Sequence, residues 1–503
     1  MGNKKARTAI SPTREEDYSG WYQSVVREAD MAEMSHVRGC MVIKPWGYGI
    51  WENMQRELDR RIKATGHENA YFPLFIPLSY IEKEAAHVEG FAKEMAVVTH
   101  HRLVSKDGEL KPAGELESPL VVRPTSETII GASFANWIQS YKDLPVLINQ
   151  WANVVRWEMR PRVFLRTTEF LWQEGHTVHA THEEAVEETE KMFKVYQDFV
   201  EEFLAIPVIP GEKSESERFP GAIQTFTIEA MMQDGKALQS GTSHYLGQNF
   251  AKASKIQFAA ESGELEYAYT TSWGVSTRLI GALIMSHSDD DGLRVPPRIA
   301  PWHIAIVPIL RNDEEVNAKI EAYCKEITAE LNKSYFAGNQ PIMAKYDDRQ
   351  YKPVNKKWGW IKKGIPIVLE IGPRDVENGS VSVLARDKNA REYENMPRDE
   401  FVTGASAILE RIQKSYYDAA VARLNEHTHT DIHDYKSLLK LFSKKGMTGF
   451  VNAKWCESIE CEDKVTSKKL TIRCLPIEQS GTEGHCVVCG AEAKMDAIFA
   501  MAY

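Results

Sequence analysis

Side chains suited to polar chemistry cluster in a few short stretches of this sequence. Arg123-Pro124-Thr125-Ser126-Glu127 sets a hydroxyl and a carboxylate two residues apart. On an extended segment both face one side, where they can hold an ammonium or imino group by charge-assisted hydrogen bonds. The same string also suits a helix start, with Ser126 as its cap. Arg156 and Glu158 alternate on the first limb of an expected antiparallel hairpin, and Trp172, Glu174 and His176 on the second. Such groups on an inward face are costly unless paired or used. They form either an internal salt-bridged hairpin or a site in which an arginine fork grips phosphate or carboxylate oxygens. Gln239-Ser240-Gly241-Thr242-Ser243-His244 adds amide, hydroxyl and imidazole groups. Ser272-Trp273-Gly274-Val275-Ser276-Thr277-Arg278 brings an arginine to a strand-to-helix junction, where it can stack on a base or hold a phosphate. Near the C-terminus, Cys456-x4-Cys461 and Cys486-x2-Cys489 offer four thiolates, which suit a closed tetrahedral structural zinc site. His485 reads as a bystander to it and Cys474 as a core residue.

The elements that must position these groups are legible as patterns. Trp46, Ile50, Met54, Leu58 and Ile62 recur every four residues, an apolar helix stripe that stops at Gly66. A strand-like run follows over residues 70–77. Pro296, Pro297 and Pro301 mark a linker. Beyond it, strands are expected at 303–310, 341–346, 366–371 and 380–385, with helices at 314–332 and 356–363. A long helix follows at 398–426. The expected domains are 1–298, 299–405 and 406–503.

The chain has 503 residues, 43% hydrophobic and 26% charged, which excludes fibrous and wholly disordered classes. It has no apolar run long enough to span a bilayer. Residues 1–7 read as neither a secretory leader nor a myristoylation signal, since Ala6 stands where Ser or Thr is needed. Seven cysteines, five of them between Cys456 and Cys489, argue against a disulfide framework and for a cytosolic chain. There is no Walker-type glycine loop and no dinucleotide fingerprint. Any ATP is therefore held by arginines on another scaffold.

Taken in order and spacing, these stretches resemble class II aminoacyl-tRNA synthetases. Residues 46–77 look like the first class motif, Arg156-x-Glu158 with the loop to Phe170 like the second, and Gly274 to Met285 with Arg278 like the third. Within the class, the strings Arg-Pro-Thr-Ser-Glu, Phe-Leu-Trp-Gln-Glu-Gly-His, Gly-Thr-Ser-His and Ser-Trp-Gly resemble the prolyl-tRNA synthetase family of archaeal/eukaryotic-like architecture, from about residue 18 to the end. Ser276 stands where eukaryotic-type relatives often carry Thr.

The resemblance implies an α+β catalytic domain built on an antiparallel sheet, an α/β anticodon-binding domain and a small α/β zinc-binding C-terminal domain. It implies a cytoplasmic homodimer that uses ATP, Mg²⁺ and structural Zn²⁺ to join L-proline to tRNA(Pro), without a membrane. Thr125 and Glu127 would hold the proline imino group. Trp172, Glu174 and His176 would form a pocket wall and its floor, with Phe219, His244, Ser272 and Trp273 shaping the rest. Arg156 would grip the substrate carboxylate and the α-phosphate. Glu158, Gln239, Thr242 and Ser276 would face the nucleotide, Arg278 would clamp its far side, and Arg166 would meet the triphosphate. The stretch between Glu174 and Gln239 is too short for an editing domain. The alternatives are a threonyl or glycyl ligase, or a synthetase-like RNA-binding paralog.

The formal net charge of −10 argues against a nucleic-acid partner on its face. Yet residues 345–374 carry eight basic residues against three acidic ones, with Trp358 and Trp360 interleaved. That pattern suits phosphate contact and base stacking. A positive tRNA-facing strip is expected there, with Lys362, Glu370, Arg374 and Arg386 as contacts.

Overall fold

The computed structural model describes residues 8–83, 94–443, 446 and 448–503. The reading of residues 1–7 lies outside them. Helix Pro45–Ala64 starts on proline, whose missing N–H is not needed in a first turn. It buries Trp46, Ile50, Met54, Leu58 and Ile62, the stripe legible in the sequence. Helix His182–Glu202 opens on a capping box between Thr181 and Glu184. With Arg278–His287 it packs on one face of a large sheet.

The middle of that sheet is antiparallel. In spatial order it runs Val208–Glu212, Gln224–Met231, Ala237–Gly247, Tyr269–Ser276, Glu169–His179 and Val146–Val155. The last two are the expected hairpin limbs. The first limb ends at Val155, so Arg156 and Glu158 sit just past the strand.

Beyond Val208–Glu212 the sheet does not stop. Strand Thr471–Pro476 pairs with it through Leu475 and Pro476, and three further C-terminal strands follow. One eleven-stranded sheet thus runs from the catalytic core into the C-terminal region. An unpaired Val208–Glu212 would present an open edge, and the C-terminal strands cover it. Gly211 makes the approach possible, since a Cβ there would lie 2.6 Å from the Cys474 Cβ.

A second sheet lies between the linker and the long helix. Its order is Ala344–Tyr346, Ile304–Pro308, Ile367–Ile371, Ser380–Ala385 and Glu394–Pro397, parallel across the first three and antiparallel after. Helices Glu314–Leu331, Pro353–Lys363 and Arg398–Glu426 accompany it. This is the α/β alternation expected from the pattern. No helix among the described residues is long and apolar enough to cross a membrane.

The α/β unit is tied to the catalytic core by charge. Asp289, just past the Arg278 helix, receives Arg386 at 2.9 and 3.1 Å and Arg294 at 2.9 Å. Arg386 is 0% exposed. It is therefore a clamp between the two regions, and the expectation that it contacts tRNA is corrected. The basic segment is corrected in part for the same reason. Lys362 pairs with Glu28 at 2.6 Å and Lys363 with Asp30 at 3.4 Å, seating helix Pro353–Lys363 on the N-terminal part of the core. Arg349 holds Asp347, Lys356 donates to the Asp347 carbonyl, and Lys357 pairs with Glu370. Trp360 is buried, with its indole N–H on Asp347. Lys352 and Arg374 are exposed.

Burial pushes the Asp289 carboxyl up, but Arg386 overrides it and with Arg294 holds it well below the usual carboxylate range. That contribution to stability is present above the unfolded value of about 3.9 and fades as pH falls toward the depressed folded value. Asp289→Asn leaves Arg386 buried without its counter-charge and should cost about 3–5 kcal/mol. Urea unfolding at neutral pH checks this, and a loss within error of zero would refute the clamp.

Candidate active site

The register of four central strands builds the site. Residues directly opposite in neighbouring strands share a face. His176, Ser272, His244 and Thr225 therefore form one row, and Glu174, Gly274, Thr242 and Thr227 the next. Gly274 leaves its place in the second row open. Trp172 stands opposite Ser276 at the end of the strand pair, and Arg278 opens the helix that follows.

Glu174 is the centre of the polar network. It is 2% exposed and accepts from Ser126 Oγ at 2.5 Å, Gln150 Nε2 at 2.7 Å and His176 Nε2 at 3.0 Å. Burial opposes the charged form of His176, but the Glu174 hydrogen bond and charge overcome it and raise its pKa. Burial first, then His176, push His244 down to about 3, so it is neutral. Its Nδ1 meets Thr225 Oγ1 at 3.0 Å, and Phe219 lies against its ring at 4.8 Å.

Thr125 and Glu127 do meet, their side chains hydrogen-bonded to each other. The segment is not extended, however. Ser126 occupies the cap position and Glu127 is the first residue of helix Glu127–Trp137. The helix-start alternative is the observed one, and it aims both groups into the cavity. Arg123 is buried and staples this turn, donating to the Phe72 and Asn153 carbonyls. Arg156 donates from Nε to the Pro124 carbonyl at 2.9 Å, with its guanidinium 5.6 and 5.7 Å from the Phe170 and Trp172 rings.

These groups enclose a cavity of about 260 Å³. Thr125, Glu127, Arg156, Trp172, Glu174, His176, Phe219, Gln239, Thr242, His244, Ser272, Trp273, Ser276 and Arg278 all border it. Trp273 borders it from behind. Its indole sits on the helix side of the sheet, 5.0 Å from the His67 ring and 6.1 Å from Tyr196, in room left by Gly175. Glu158 and Arg166 lie outside the lining, on the hairpin loop, where Glu158 accepts from the Arg160 N–H and Arg166 is exposed. Sequence reasoning missed Lys213, Glu217 and Arg218, which complete the wall on the Phe219 side. They read as an ordinary charged loop, and no spacing marks them out.

At the C-terminus the four cysteines converge. Their sulfurs lie within 4.8 Å of one another, with Cys456 3.6 Å from Cys461 and 3.7 Å from Cys489. A zinc ion with Zn–S bonds of about 2.3 Å sets its sulfurs about 3.8 Å apart, so the set fits the metal. Cys461 comes from helix Ile459–Thr466, and Cys486 and Cys489 from a turn ended by Gly490 at φ 78°. His485 is exposed, and Cys474 is fully buried elsewhere in the sheet.

Comparison with known proteins gives these features a family. Residues 111–287 match the tRNA synthetase class II core domain (G, H, P, S and T), 303–408 an anticodon binding domain, and 436–503 the C-terminal domain of prolyl-tRNA synthetase. Core and anticodon domain together define a class II aminoacyl-tRNA synthetase. The chain is 60% identical to the proline–tRNA ligase of Protochlamydia amoebophila and 59% to that of Paramagnetospirillum magneticum, with 100% of each chain covered. The structure matches the prolyl-tRNA synthetase of Cryptosporidium parvum, solved with L-proline and AMP, at a TM-score of 0.88 and 35% identity, covering 100% of this chain and 99% of that one. The chain belongs to the prolyl-tRNA synthetase family, in its archaeal/eukaryotic-like form. Residues between Glu174 and Gln239 all belong to the catalytic fold, and the domain set contains no editing domain.

Two outcomes are expected. Because the His176 pKa is raised, the stability from its pair with Glu174 is complete below about pH 6.5 and is lost as pH rises through the folded value. The stability gap between the parent and His176→Gln should shrink between about pH 6 and pH 9, and a gap constant with pH would refute the pairing. Cys456→Ser should lose zinc by metal analysis and unfold at lower temperature, since a structural zinc site contributes directly to folding. A metal-free parent protein of equal stability would refute that reading.

Proposed function

We propose that this cavity activates L-proline and then charges tRNA(Pro), the reaction of the ligase family to which the chain belongs. One observation carries the residue assignment. A buried carboxylate network centred on Glu174 sits beside a turn presenting Thr125 and Glu127, with Arg156 seated against that turn through the Pro124 carbonyl and Arg278 at the helix start beyond Ser276. The acidic side suits a cationic imino group. The basic side suits a carboxylate and a phosphate chain. The Cryptosporidium relative was solved with L-proline and AMP, the two kinds of ligand that this reading asks the cavity to take.

ATP enters as its Mg²⁺ complex. The proline carboxylate attacks the α-phosphorus in line and pyrophosphate leaves. Both reactants are anions, so the residues act by positioning and charge neutralisation. No general base is needed in this step, because the nucleophile is already ionised. Arg156 bridges the reacting carboxylate and α-phosphate, and Phe170 and Trp172 hold its guanidinium in place. Arg278 holds the far end of the nucleotide, and Gln239, Thr242 and Ser276 face the remainder. Glu158 and Arg166 act from the hairpin loop. In the second step the terminal ribose hydroxyl of the tRNA attacks the prolyl carbonyl of the adenylate, the ester bond forms, the carbonyl–phosphate bond breaks, and AMP and the hydroxyl proton leave. Lys362, Glu370 and Arg374 stand as proposed contacts in the anticodon domain, with Arg374 the exposed one. The four cysteines would hold a structural zinc, which would fix the C-terminal domain and supply no chemistry.

The working unit is a homodimer. Phe75, Val97, Leu103 and Leu110 are exposed apolar residues on one three-stranded sheet beside the catalytic core, and a second copy would cover them.

Arg156→Ala should lower proline-dependent ATP–pyrophosphate exchange by about a hundredfold or more, as removal of a transition-state charge contact does. Near-normal exchange in the folded variant would remove Arg156 from the role.

A further inference from the structure

The wall carrying Lys213, Glu217, Arg218 and Phe219 is held by the C-terminal domain. Leu475 and Pro476 pair with Glu212 and Gly211. Lys213 Nζ donates to the Arg473 carbonyl at 2.7 Å, and Ser214 Oγ donates to Glu462 at 2.5 Å. Behind the wall is Glu229, which is 0% exposed and directly opposite Gln239 in the register. Arg473 forks onto it, Nη2 to Oε2 at 3.0 Å and Nε to Oε2 at 3.1 Å. Lys213 Nζ and Thr227 Oγ1 each reach Oε1 at 3.0 Å. Thr471 Oγ1 accepts from Arg473 Nη1 at 3.1 Å. All three charged side chains are buried.

Two cations against one anion leave this corner net positive, next to the groups that face the nucleotide. Burial and then Arg166 and Arg156 push Arg278 down to about 10, with Glu229 opposing and Arg473 adding to the shift. Both members of the Glu229–Arg473 pair therefore act on Arg278 through a low-dielectric interior.

We propose that Arg473 is a positioning residue for ATP, supplied to the catalytic pocket by the C-terminal domain: it neutralises Glu229 and fixes Lys213 on the pocket wall. Arg473 touches no reacting atom. Without it, Glu229 faces the nucleotide corner balanced by one lysine alone, and the polyphosphate meets an added negative field. Proline, held across the cavity at Thr125, Glu127 and Glu174, is little affected. The inference rests on the reading of the cavity as the adenylate-forming site.

The test is ATP–pyrophosphate exchange by Arg473→Gln, Arg473→Lys, Glu229→Gln and the double variant Glu229→Gln/Arg473→Gln, each with its melting temperature. Arg473→Gln should raise KM for ATP about tenfold and leave KM for proline within about twofold. Arg473→Lys should recover most of the loss. Glu229→Gln should not raise KM for ATP, and the double variant should return it to within about threefold of the parent, as a pairwise charge term requires. A merely structural role predicts equal losses in both single variants and in both KM values, and that pattern would overturn the proposal. So would a parental KM for ATP in folded Arg473→Gln. Should Arg473→Gln not fold, the double variant decides: near-parental KM for ATP supports the proposal and about a tenfold increase overturns it. Absence of proline-dependent exchange in the folded parent protein would instead remove the reading of the cavity itself, so the two failures are distinguishable.

Discussion

A carboxylate shut away from water must be matched by donors, and Glu174 is the carboxylate around which this molecule is arranged. Burying it unmatched would cost several kcal/mol. Its donors come from three separate places: Ser126 on the turn, Gln150 on one hairpin limb and His176 on the other. Those segments are therefore fixed relative to one another by one charge. Placing Ser126 on Glu174 turns Thr125 and Glu127 inward. Pairing the strands in the register that satisfies Glu174 sets Trp172 at the cavity edge, opposite Ser276, two residues before Arg278. The acidic and basic sides of the pocket follow from that one constraint.

The parts legible in the sequence are those whose signal is local and periodic. The stripe from Trp46 to Ile62, the α/β alternation after the prolines and the paired cysteines all have fixed spacings, and each is where the pattern put it. The pocket residues were legible as strings, because alternation along a strand places every second residue on one face. What was not legible depends on partners far away in the chain. Arg386 looked like a surface arginine because nothing near it in sequence reveals Asp289. Trp273 looked like a pocket side chain until its contact with His67 placed the indole on the other face. Lys213 and Arg218 carried no signal, since their position is set by the C-terminal strands that complete the sheet.

Charge distribution has a similar lesson. The basic excess in residues 345–374 answers in large part to acidic partners within the chain, including Glu28 and Asp30 on the catalytic core. A positive local count therefore measured inter-domain attachment as much as affinity for RNA. The same device recurs at Asp289 with Arg386 and at Glu229 with Arg473. In each case an ion pair joins regions that the sequence separates by about a hundred residues or more. The catalytic core is thus braced by the anticodon-binding domain beyond the Arg278 helix and by the C-terminal domain along Val208–Glu212.

On the proposed reading, one pocket, with carboxylates around Glu174 and cations at Arg156 and Arg278, selects proline for adenylation. Amino-acid-dependent ATP–pyrophosphate exchange with each of the twenty amino acids tests it most directly. The structure predicts strong exchange with L-proline and weak exchange with alanine, which a pocket rejects only by the missing methylenes, at about 1–3 kcal/mol each. Exchange driven best by threonine or glycine, or by no amino acid in a folded, zinc-loaded protein, would contradict it.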